Sequence, residues 1–281
     1  SSVINDQESS KPESESVSEQ SGQTNWGPDG FDENQIPDMT AWQWANNNNG
    51  YMSGSYQHEG SVDTQYNSWK SQEKEDLKEY VVGVMDTGID ENNPDLAGVL
   101  WTGESFGEGG DSHGFYSNAA PGQTSTTGLN PNHGSHVAGI IASEWNGQGT
   151  SGTASNVKLM SIRFADSYAT AIQALQYAKL AVENGVNLIA INCSWGMGLS
   201  ASNLINTAVT ELGELGVVTV FAAGNSASNL DRWMDTGTTL ANNPYAINVN
   251  SSGPDGNKSI FTNYGIATTD VFAPGSAILS T

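Results

Sequence analysis

Three polar side chains stand where an apolar run empties into a glycine turn or where a helix opens. Asp86 closes Val84-Met85-Asp86-Thr87-Gly88, His133 opens His133-Gly134-Ser135-His136-Val137-Ala138-Gly139, and Asn225 follows Phe221-Ala222-Ala223-Gly224. A carboxylate, an imidazole and a primary amide supply a fixed negative charge, a proton acceptor near neutral pH and a neutral hydrogen-bond donor. Those are the parts of general-base catalysis with stabilisation of a developing oxyanion. Each also has a plainer reading. Asp86 reads as a turn aspartate, His133 with His136 as a metal pair or two polar helix residues, and Asn225 as a turn or cap residue. The metal pair lacks a third ligand at helical spacing, since Glu144 lies eight residues beyond His136. Cys193, the single cysteine, lies inside an apolar run and is a poor candidate nucleophile.

The elements around these residues alternate. Val81–Met85 is a short buried strand, Val157–Phe164 a second, Leu188–Cys193 a third, Val217–Ala222 a fourth and Tyr245–Val249 a fifth. Between them, residues 168–184 carry Ile172, Leu175, Ala178 and Val182 at helical spacing with Gly185 as a stop, and residues 201–215 form a helix ending at Gly216. Strand and helix in alternation predict an α/β fold, a parallel sheet with helices on both faces. In such sheets ligands bind outside the carboxyl ends of the strands. Asp86, Ser194 and Asn225 all fall just past such ends. An Asp-Thr-Gly also marks the aspartic proteases, but those need two carboxylates sharing a proton. One Asp-Thr-Gly is present, and the strand–helix alternation does not suit an all-β fold.

Taken together and in this order, the three segments resemble the aspartate, histidine and oxyanion-asparagine segments of the subtilisin-like serine proteases. The resemblance runs from about Tyr80 to Thr281. It implies that Asp86 orients His133, that His133 takes a proton from a serine, and that Asn225 holds the oxyanion. It also implies that the second histidine, His136, is structural. Ile191-Asn192-Cys193-Ser194-Trp195-Gly196 resembles the family's substrate-pairing strand, which implies that Ser194, Trp195 and Gly196 bind substrate, with Trp195 in the pocket wall. Phe261-Thr262-Asn263-Tyr264-Gly265, Phe272-Ala273-Pro274-Gly275 and Ile278-Leu279-Ser280-Thr281 resemble the approach to the nucleophile. No serine here lies in a Gly-Thr-Ser-Met-Ala context, so the resemblance implies a C-terminally incomplete domain whose serine lies beyond Thr281 in a C-terminal remainder. The chain alone is then expected to be inactive. Two other readings stand beside it: a non-catalytic peptide-binding pseudoprotease, and one chain of a two-chain enzyme. Asp95, at the family's spacing after Asp86, and Asn146, in the loop from Glu144 to Thr150, would supply side-chain oxygens to a structural calcium, an ion that takes six to eight oxygen ligands.

The 281 residues suffice for one sizeable α/β domain with an extension. Residues 1–24 are Ser, Glu, Gln and Asn with little that is apolar, and read as a disordered acidic tail. Residues 25–79 hold Trp26, Trp42, Trp44 and Trp69 and read as an extension packing on the core; residues 80–281 read as the peptidase domain. The net charge of −22 argues against nucleic acid or an anionic membrane surface as partner. With only nine Lys plus Arg, the acidic surface suits a secreted protein in an extracellular or cell-surface setting. One cysteine excludes an internal disulfide and a multi-cysteine metal cluster. No apolar run reaches the roughly 20 residues of a membrane-spanning helix. Protein or peptide substrates are the expected partners.

Overall fold

The computed structural model describes residues 38–40, 43–46, 48, 52–53, 56–57, 79–117, 123–126, 132–164, 167–195, 203–232 and 240–281. The tail read at 1–24, most of the extension at 25–79, and Gly196 lie outside the described residues. The domain is built on an eight-stranded sheet of β1 (Tyr80–Asp86), β2 (Gly110–Asp111), β3 (Gly114–Tyr116), β4 (Val157–Arg163), β5 (Leu188–Cys193), β6 (Val218–Ala222), β7 (Ala246–Ser252) and β8 (Val271–Pro274). Among the described residues three helices cover it: α1 (Asn132–Ala142), α2 (Tyr168–Glu183) and α3 (Asn203–Glu214). The strand order is β8-β7-β6-β5-β1-β4-β3-β2, parallel except for the hairpin of β2 with β3. The fold is α/β as the alternation predicts, with helices on both faces of the sheet.

β1 lies at the centre because its apolar residues serve both faces. Val84 and Met85 are both fully buried, Val84 toward α1 with Leu96, Ala138 and Leu159, and Met85 toward α2 and α3 with Met160, Leu175 and Ile205. Burying such a side chain is worth about 1.5–3 kcal/mol. Gly83, just before them, leaves little room for a side chain, since a Cβ there would stand 2.8 Å from Ile162 Cδ1. After β1 the chain adds strands on the β4 side, then crosses to β5 on the other side of β1. This reversal puts a crevice at the carboxyl ends of β1 and β5.

α2 begins where Ser167 accepts the N–H of Thr170 and ends before Gly185, whose φ of +93° lets the chain reverse. The strands expected at 81–85, 157–164, 217–222 and 245–249 are found with ends shifted by one to three residues. The β2–β3 hairpin and β8 went unread, because runs of two to four residues are too short to show periodicity. From the extension, the described part packs on the domain. Trp44 is buried and donates its indole N–H to the carbonyls of Ser276 and Ala277 at 3.1 and 3.0 Å. Gln43 exchanges two hydrogen bonds with the backbone of Ser151.

Candidate active site

The turn after β1 and the first turn of α1 are fitted to one another. Thr87 Oγ1 accepts the N–H of Gly134 at 3.0 Å, satisfying one of the helix's unpaired amides. Gly134 lies so close to the carbonyl of Gly88 that any side chain there would collide with it. This contact sets the distance from strand end to helix start, and with it the distance between Asp86 and His133. Nδ1 of His133 stands 2.7 Å from Oδ1 of Asp86, which also accepts the N–H of Thr87 at 2.7 Å. Asp86 is 4% exposed, whereas the His133 side chain is 26% exposed. With the proton on Nδ1, the imidazole donates to the carboxylate and carries its lone pair on Nε2. Oδ2 of Asp86 is buried and accepts no hydrogen bond among the described residues. The contact with the carboxylate fixes the orientation of the ring.

His136 lies one turn further along α1 and pairs instead with the chain's last stretch. Its Nε2 lies 3.3 Å from the carbonyl of Ile278, and Ser280 donates its hydroxyl to the carbonyl of His136 at 2.7 Å. Among the described residues no group of three His, Cys, Asp or Glu could hold a metal ion, so the metal-pair reading of His133 and His136 has no third ligand.

Asn225 follows β6 after Gly224, whose φ is +95°. It is exposed, and its side chain makes no hydrogen bond among the described residues. Trp195 is 5% exposed. It packs against Phe164 and Phe221 at ring distances of 5.0 and 5.6 Å and donates its indole N–H to the carbonyl of Met85 at 2.9 Å. The indole is therefore packed inside the domain and tied to the end of β1. Ser194, half-buried, accepts the side-chain amide of Asn192 at 2.8 Å. Cys193 is fully buried with its sulfur 3.9 Å from that of Met85, and burial drives its thiol pKa well up. It is no nucleophile.

Asp95 is 3% exposed and grips both ends of the loop 144–150. Its carbonyl accepts the N–H of Glu144 at 3.1 Å and its Oδ2 the N–H of Thr150 at 2.9 Å. Asn146 is exposed on that loop, with its Oδ1 accepting the N–H of Gln148.

Two residues here escaped the sequence reading. Arg163 pairs in register with Asp86, lies 4.1 Å above the Tyr116 ring and donates to the carbonyl of Thr124 at 3.1 Å. Its burial lowers its pKa, and its strand position gave no signal. Asn263 sits under the Asn225 turn. Its signal was present in Phe261-Thr262-Asn263-Tyr264-Gly265, but as a motif without a role.

A buried aspartate at one strand end, a histidine on the adjoining helix and an asparagine past another strand end thus stand on one α/β sheet. The family model described as "Subtilase family" matches residues 78–281, and the chain belongs to that family. A cuticle-degrading protease of Metarhizium anisopliae is 32% identical over 204 residues, covering 71% of this chain and 46% of that protein. An extracellular protease of Xanthomonas campestris is 32% identical over 225 residues, covering 72% of this chain and 38% of that protein. The solved structure of a cold adapted subtilisin-like serine proteinase superposes with a TM-score of 0.53 at 26% identity, covering 72% of this chain and 65% of that one. The chain thus spans less than two thirds of each of these relatives.

Proposed function

We propose that this chain supplies the aspartate, the histidine and the oxyanion amide of a serine endopeptidase whose nucleophilic serine lies in sequence following Thr281. The 2.7 Å contact between His133 and Asp86 carries this reading. The serine Oγ attacks the carbonyl carbon of a peptide bond while His133 Nε2 takes its proton. Asp86 stabilises the imidazolium, and Asn225 donates to the oxyanion. The C–N bond breaks as His133 returns the proton to the leaving amine. Water then attacks the acyl ester, its proton passes to His133, and the acid leaves with the serine regenerated. Ser194, Trp195 and Gly196 would meet the substrate through their backbone, which gains hydrogen bonds independent of side chains.

Asp95 and Asn146 would hold a structural calcium. Asp95 is a buried carboxylate with no cationic partner among the described residues, a charge that a cation on this loop would compensate. An extracellular setting is supported by the acidic composition and by the Xanthomonas relative's description as an extracellular protease.

The test is a polypeptide extended through its serine segment. It should be labelled by a fluorophosphonate and hydrolyse a peptide, and His133→Ala should lower turnover by several orders of magnitude with the fold intact. Near-normal hydrolysis by that variant would overturn the assignment.

A further inference from the structure

We propose that Asn263 is a positioning residue for the oxyanion donor, fixing the direction of Asn225 through the backbone on both sides of it; this rests on the role given to Asn225 above. Asn263 is 8% exposed. Its Nδ2 donates to the carbonyl of Ala223 at 2.8 Å, and its own N–H donates to the carbonyl of Gly224 at 2.8 Å. Its Oδ1 accepts the N–H groups of Ser226 and Ser228 at 2.9 and 3.0 Å. These four bonds bracket residue 225 and leave its side chain uncommitted.

The local backbone is shaped for this one side chain. Ala227 has a φ of 51°, the left-handed region that an alanine seldom adopts. That conformation turns the amides of Ser226 and Ser228 onto a single point, an arrangement that elsewhere receives an anion. Here the amide oxygen of Asn263 occupies it. Gly224 completes the fit, since a Cβ there would stand 2.7 Å from Asn263 Nδ2. Asn263 is itself tied to the sheet. Asn250 of β7 donates to its carbonyl, and the neighbouring Thr262 accepts the N–H of Ser251 at 3.0 Å. The oxyanion turn is thus clamped to a strand and not left as a free loop. An oxyanion donor acts only within about 2.7–3.1 Å of the developing charge, so the clamp bears on rate. Aspartate keeps the two acceptances but loses the donation to Ala223.

The experiment measures kcat and KM for the serine-bearing polypeptide with Asn263→Ala, Asn263→Asp, Asn225→Ala and the two double variants. Asn263→Ala should lower kcat about 10- to 100-fold, the scale of a misplaced catalytic group, with KM within about twofold. In the Asn225→Ala background the same change should cost less than about threefold, because the group it positions is gone. Equal losses in both backgrounds, or a change in KM alone, overturn the positioning role while leaving Asn225 in place. An unchanged kcat for Asn225→Ala instead overturns the oxyanion reading itself. If Asn263→Ala does not fold, Asn263→Asp decides by the same comparison.

Discussion

Trp195 donates its indole N–H to the carbonyl of Met85, the residue just before Asp86, across 110 positions of sequence. The bond ties the turn after β5 to the end of β1 and holds the strand end from which the carboxylate projects. Trp195→Phe keeps an aromatic ring against Phe164 and Phe221 but leaves a buried carbonyl without this donor. Losing a buried partner costs about 1–3 kcal/mol. Urea unfolding should show a lower midpoint with an unchanged slope, and an unshifted midpoint would mean that the bond contributes nothing.

Asp86→Asn should act differently, on rate and not on stability. The amide is nearly isosteric, but it can present its N–H to the ring and so favour the wrong tautomer of His133. In serine proteases of another fold the corresponding change lowers kcat about 10⁴-fold. Steady-state kinetics of the serine-bearing polypeptide should show that loss in kcat with little change in KM. A loss confined to KM would place Asp86 in substrate binding.

The strand ends, the helix starts and the order of Asp86, His133 and Asn225 were legible because each is local. A buried run meeting a Gly turn or a helix-opening histidine is written within seven residues. What was not legible depends on distant partners. Trp195 could be read as a pocket wall or a core residue, and only its contacts with Met85, Phe164 and Phe221 place the indole inside. Asn263 lies 38 residues from Asn225, and no spacing announces that its amide fills the turn at Ala227. Arg163 looked like an ordinary strand residue until the register set it beside Asp86.

Calcium binding predicts a stability that depends on free ion. At a hundredfold excess over the dissociation constant a bound ion adds about 2.7 kcal/mol. Chelator should therefore lower the melting temperature. Asp95→Asn is the better control than alanine, since the amide oxygen can still accept the N–H of Thr150 while the charge is removed. That variant should melt at the same temperature with and without chelator. An unchanged melting temperature of the parent in chelator would end the calcium reading.

Cys193 gives a test that the 281-residue chain can answer by itself. Its side chain is fully buried, and desolvation, with a smaller contribution from the charge of Asp86, raises the thiol pKa well above its ordinary value of 9.0. The thiolate is the reactive form, so the folded chain at pH 8 should resist a thiol reagent that labels it fully in denaturant. The sign of the pH dependence follows. The folded thiol holds its proton more tightly, so the associated stability is whole below the unfolded pKa. It declines as pH rises past that value toward the folded one. Native-state labelling should thus track the open fraction and quicken in alkaline buffer. Rapid labelling at neutral pH without denaturant would show that β5 and β1 do not close over the sulfur.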